Sequence, residues 1–123
     1  MTPFGQRLRD LRQERGVSQK DMAKAIGVSA AYLSALVHGR RGQPTWAKLQ
    51  RIIQYFNIIW DGAEELQRLA LISQPRVTID TGGLSPSVTE LANLLAMRIE
   101  DMDQETTQLF IGKLKLLPPR RKR

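Results

Sequence analysis

The sequence predicts an all-α fold. Apolar residues recur at three- and four-residue spacing along most of the chain. Serine, threonine or aspartate precedes several of these stretches, and glycine or proline follows. The first helix runs from Pro3 to Arg15, with Phe4, Leu8 and Leu11 on one side and Gly16 as its stop. The second, Gln19 to Ile26, is capped by Ser18 and carries the stripe Met22, Ala23, Ile26. The third, Ala30 to Val37, is capped by Ser29 and turns Leu33 and Leu36 inward. Gly27 falls where the chain must reverse, a position that asks for positive φ, and Val28 plugs the corner.

Two glycines and a proline between Gly39 and Pro44 make a loop. Thr45 then caps a fourth helix over Trp46–Phe56, with Trp46, Leu49, Ile52, Ile53 and Phe56 inward. A fifth spans Ile58–Ile72, with Ile59, Ala63, Leu66, Leu69 and Ala70 on one side. These five helices form the expected domain, residues 1–73. Residues 74–86, with Pro75, Gly82, Gly83 and Pro86, read as the linker. Inside it Arg76–Asp80 alternates polar and apolar, which fits an extended linker, the preferred reading, or a short strand paired with its copy in another subunit.

Residues 87–117 return to helix. Val88, Leu91, Leu94, Leu95, Met97, Ile99 and Met102 give a wide apolar face on the first of two helices. Asp103 caps the second, whose inward residues are Leu109, Phe110, Leu114 and Leu117. A domain below about 40 residues rarely folds unaided, so this face needs a cover. Pairing with a second copy, through Val88, Leu91, Leu95, Ile99, Met102, Leu109, Phe110 and Leu114, is preferred over folding back on the N-terminal domain. Residues 118–123 are a basic tail, solvated, tracking nucleic acid non-specifically, or a nuclear address in a eukaryotic setting.

Charge is unevenly placed. Of the net +7, residues 1–57 hold ten Lys/Arg against three Asp/Glu, whereas residues 58–117 hold five against nine. A basic N-terminal half suits a polyanion and an acidic second half suits a protein partner. The absence of cysteine excludes disulfides and thiolate metal sites and fits a reducing compartment. No stretch approaches the roughly 20 apolar residues of a membrane span, and the N-terminus lacks an apolar signal core. The expectation is a cytoplasmic, nucleoid-associated protein with no membrane partner.

The stretch Gln19–His38 resembles the helix-turn-helix of Xre/Cro/cI-type transcriptional regulators. The likeness is carried by Ser18-Gln19, Ala23, Gly27, Val28, Leu33, Leu36 and Gly39-Arg40-Arg41 before Pro44, in register from Phe4 to about Ile59. It implies a five-helix lambda-repressor-like domain, here followed by a C-terminal helical hairpin for dimerisation. It also implies that the third helix enters the major groove of double-stranded DNA. By position Ala30, Ala31, Tyr32, Ser34 and Ala35 would face bases. Gln19, Lys20, Ser29, Arg40, Arg41, Gln43 and Lys48 would hold phosphates, with Trp46 packed beneath them or simply in the core. Three alanines offer only methyl groups, which suit the thymine methyl, so readout leans on shape and water. In several members an arginine at the place of Arg12 pairs with an acid at the end of the third helix. That position is Val37 here, which leaves Arg12 for phosphate or for another acid.

The function expected is a sequence-specific regulator, a repressor bound as a homodimer to an inverted repeat. The alternative is an antitoxin that autoregulates its operon, with a toxin as partner of the acidic half. An enzyme is not supported, for the chain has no histidine–carboxylate pair at ligand spacing and no Gly-rich phosphate loop. The single histidine, His38, sits at a helix end and reads as a cap or phosphate contact. No metal or cofactor is expected.

Overall fold

The computed structural model describes residues 1–120 and divides into two units, Met1–Val77 and the chain from Thr78 onward. Arg121, Lys122 and Arg123 of the expected tail lie outside the described residues. Seven helices are present among the described residues: α1 (Pro3–Arg15), α2 (Gln19–Ile26), α3 (Ala30–Val37), α4 (Trp46–Tyr55), α5 (Asp61–Leu71), α6 (Pro86–Arg98) and α7 (Gln104–Lys115). There is no strand among them, so Arg76–Asp80 runs without regular structure.

In the first unit the caps form as their residue types dictate. Thr2, Ser18, Ser29 and Thr45 each accept a first-turn backbone N–H through the side-chain oxygen. Helix α1 packs on α3 and α5, α2 on α3 and α4, and α4 on α5. One core joins Phe4, Leu8 and Leu11 of α1 to Met22, Ala23 and Ile26, Leu33, Leu36 and Val37, Leu49, Ile52 and Ile53, then Phe56, Leu66 and Ala70. Burying each large side chain contributes about 1.5–3 kcal/mol. The turn between α2 and α3 has Gly27 at φ 76°, and the Val28 N–H donates to the Ala23 carbonyl at 3.0 Å. Arg51 of α4 donates to the Ile26 carbonyl at 3.4 Å, so the last turn of α2 is held from a neighbouring helix. At Gly5 a Cβ would collide with the Val37 carbonyl oxygen, which sets how closely α1 approaches the end of α3.

Three expectations for this unit are overturned. Trp46 is 65% exposed rather than inward or packed beneath the loop arginines. It stands at the first position of α4 and lines an open pocket with Gln43, Pro44, Leu49 and the end of α5 (Gln67, Ala70, Leu71). Ile59 is 70% exposed, because α5 starts at Asp61 and not at Ile58. Asn57 and Trp60 both take positive φ (52°), so the backbone there is not helical and helical spacing cannot turn Ile59 inward. Phe56 is buried as expected, but as the C-cap of α4 rather than within it.

The unit holds Ser73, the last residue of the expected domain, and continues past it. Ser73 is 4% exposed, accepts the Phe4 N–H at 2.9 Å and donates to the Leu69 carbonyl. The Gln74 side chain lies against Gly42, and compact contacts continue to Val77, past the expected linker start at residue 74.

Among its described residues the second unit buries none. Its first helix ends at Arg98, with a single 3-10 turn over Ile99–Asp101, instead of running to Met102. Asp103 caps α7, accepting the Thr106 N–H at 2.7 Å. Leu109, Phe110, Leu114 and Leu117, expected inward, are 42–67% exposed within this unit. The physical reason is that α6 and α7 do not close on each other. They line an apolar groove of about 450 Å³ formed by Val88, Leu91, Leu95, Phe110 and Leu114, with Lys113 at its edge.

Candidate nucleic-acid interface

Helix α3 has two unlike sides. Leu33, Leu36 and Val37 are buried, while Ala30 and Ala31 are exposed and Ala35 is half-buried. At about 100° per residue, Ala31 and Ala35 project together, opposite the buried side. Tyr32 and Ser34 fall on the two flanks of this alanine strip. The helix therefore presents a low floor of methyl groups between two polar edges.

The chain after α3 supplies charge to both edges. The N–H groups of Arg40 and Arg41 donate to the same carbonyl, that of Ala35, at 2.9 and 3.2 Å. This curls the loop back against the helix end. The Arg40 guanidinium then donates to Ser34 Oγ at 3.1 Å. On the other edge, the Arg41 guanidinium lies 5.1 Å from the centre of the Tyr32 ring, and Lys48 Nζ of α4 lies 4.2 Å from it. Tyr32 is half-buried. Burial pushes its hydroxyl pKa above the ordinary tyrosine value, with the Arg41 charge pulling the other way. The phenol is thus neutral near pH 7 and its O–H can donate.

Of the residues selected from sequence, Tyr32, Ser34, Arg40, Arg41 and Lys48 are brought together around Ala31 and Ala35. Ser29 and Ala30 stand beside it at the start of α3, and the others lie apart from that cluster. Gln19 and Lys20 occupy the first turn of α2, half-buried and exposed. Ser29 spends its oxygen on the Tyr32 N–H at 3.0 Å and keeps its O–H as a donor. Gln43 lines the pocket beside Trp46. Arg12 takes part in no ion pair among the described residues, and its Nε is buried without a hydrogen-bond partner. The end of α3 offers it no acid, because Val37 is 3% exposed in the core.

Sequence reasoning missed the polar side chains that tie the helices of this unit to one another. Arg51 secures the end of α2, Arg15 donates to the Phe56 carbonyl after α4, and Ser73 ties α5 to α1. Each is a polar side chain reaching a distant backbone group, which periodicity cannot signal. Thr2 was readable in principle, since a threonine before a proline at the first helical position is a start signal.

A family model described as a helix-turn-helix domain matches residues 3–77, well over half of the chain. The chain belongs to the helix-turn-helix domain family. The match contains the Phe4–Ile59 stretch on which the resemblance to such regulators rests, and it runs to the same Val77 where the first compact unit ends. The HTH-type transcriptional repressor RghR of Bacillus subtilis is 37% identical over 62 residues, 50% of this chain and 46% of RghR. The HTH-type transcriptional regulator DdrOP3 of Deinococcus deserti is 45% identical over 53 residues, 43% of this chain and 40% of the relative. The chain thus spans less than half the length of these relatives. A solved chain from a SinR protein/SinI protein complex aligns over 91% of this chain and 94% of its own length, with 20% identity and a TM-score of 0.46.

Proposed function

We propose that this helix-turn-helix protein is a sequence-specific DNA-binding transcriptional regulator that acts as a repressor, bound as a homodimer to an inverted repeat. One observation carries the reading: the Ala31/Ala35 floor of α3 lies between the Ser34–Arg40 pair and the Tyr32–Arg41–Lys48 cluster. A major groove is bordered by two phosphate rails, and a narrow, small-residue helix face with cations on either side suits that shape. The alanines favour thymine methyls and leave the rest of the discrimination to DNA shape and ordered water. The names of the relatives, a repressor and a regulator, agree with this assignment.

The second copy is invoked because the second unit has no buried residue among those described. The apolar groove between α6 and α7 is the surface offered to it. Two recognition helices related by a two-fold axis would sit about 34 Å apart, one duplex turn. The alternative assigns the same groove to a second protein, as in an antitoxin that controls its own operon.

In vitro selection of duplex sites, combined with a molar-mass measurement, tests the whole reading. The expected result is a two-fold symmetric site, salt-sensitive binding and a dimer mass that falls to monomer in Leu91→Asp. No salt-sensitive binding to any duplex would refute the DNA-binding assignment. A monomeric wild type that binds a single half-site would refute the homodimer and favour the second protein.

A further inference from the structure

We propose that Tyr32 is a positioning residue rather than a base reader: its ring is a platform that holds Arg41 and Lys48 beside the exposed face of α3, ready for duplex phosphates. The inference rests on the DNA-binding reading above and assigns a different role to one residue within it.

Three features of the geometry point to this. First, Tyr32 stands on a flank of α3 and not on the Ala31/Ala35 strip, and it is half-buried where Ala31 is exposed. Part of the ring packs against the core. Second, the cations reach it from two different elements, Arg41 from the loop after α3 and Lys48 from α4. A ring at that junction fixes side chains that would otherwise sample many rotamers, and long cationic side chains lose the most freedom when they are ordered. Third, neither cation consumes all its donors on the ring. The attraction is to the π face, so the N–H groups of Lys48 directed away from the ring and the outer edge of the Arg41 guanidinium remain for phosphate oxygens. No carboxylate is paired with Arg41 or Lys48 among the described residues. The ring therefore orders the two charges without neutralising them.

The test measures affinity and its salt dependence for the full chain on two duplexes, one of mixed sequence and one carrying the wild-type selected site. Tyr32→Phe keeps the ring and should bind both within about twofold of wild type, with the same selected sequence. Tyr32→Leu keeps apolar volume but removes the π face. It should lose about three- to tenfold on both duplexes alike, with a salt slope shallower by about one to two phosphate contacts. Lys48→Gln, a change at the surface end of the cluster, should cost less when combined with Tyr32→Leu than it does alone, because the two residues act together. Tyr32→Leu binding as tightly as wild type would overturn the inference and leave the DNA-binding reading intact. So would Tyr32→Phe selecting a different sequence, since that would make the hydroxyl a base reader. Wild type binding neither duplex would instead remove the reading on which the inference stands.

Discussion

Replacing Ser73 by alanine should destabilise the first unit by about 1–3 kcal/mol. The first turn of a helix leaves backbone N–H groups without helical partners, and in α1 each can be followed. Pro3 has none. Gly5 donates to Thr2 Oγ1 at 3.0 Å and Gln6 to the Thr2 carbonyl at 2.8 Å. Phe4 donates to Ser73 Oγ at 2.9 Å, across 69 residues of sequence. Phe4 is 1% exposed and Ser73 4%, so water is not on hand to replace the lost oxygen. The alanine variant removes one atom and leaves almost no cavity, which makes the unmet donor the dominant cost. At about 4–8 °C per kcal/mol for a domain of this size, the melting temperature should fall by about 5–20 °C. Urea unfolding followed by far-ultraviolet circular dichroism reads the change, since α1 to α5 all lie in this unit. The midpoint should drop with the slope unchanged. A variant within about 0.5 kcal/mol of wild type would show that this hydrogen bond does not hold α5 to α1, and that the unit closes before Ser73.

Two further outcomes are expected. Gly27→Ala should cost about 1–2 kcal/mol, because φ is 76° there and a left-handed backbone strains an L side chain. Its new Cβ would meet only the Arg51 guanidinium, at an ordinary 3.6 Å, so a neutral result in chemical denaturation would mean the turn can be rebuilt without that geometry. Hydrogen bonding from Thr106 holds the Asp103 carboxyl below the ordinary aspartate range. A depressed folded value stabilises above the unfolded pKa of about 3.9 and is lost as pH falls through the folded value. Helix content by circular dichroism should therefore separate wild type from Asp103→Ala at neutral pH and converge in acid; curves that stay apart in acid would contradict the linkage.

The four helices of the motif region were legible because each is short, capped and one-sided. Ser18, Ser29 and Thr45 cap α2, α3 and α4 through their own side chains, and the stripe of each helix meets a neighbour close in sequence. Legibility failed where a residue's fate depends on backbone geometry or on what lies opposite. Ile59 and Trp46 have the right chemistry for a core. One sits in a segment with two positive φ values, and the other at a helix end whose facing helix, α5, is held off across an open pocket. The candidate site divides in the same way. The alanine strip follows from helical spacing alone. The Arg40–Ser34 pair and the stacking of Arg41 and Lys48 on Tyr32 depend on how the loop folds back to Ala35.

The order of residues by itself determined that the chain is helical, where α1 to α4 start, and which side of α3 carries no large side chain. These are properties of about four to fifteen neighbouring residues, and local hydrogen bonding with periodic burial is enough to set them. Only the tertiary structure decided that Ser73 ties α5 to α1, that Trp46 stays in solvent, and that Tyr32 gathers cations from two elements. Those outcomes turn on contacts between atoms far apart along the chain, and a linear pattern carries no record of distance in space.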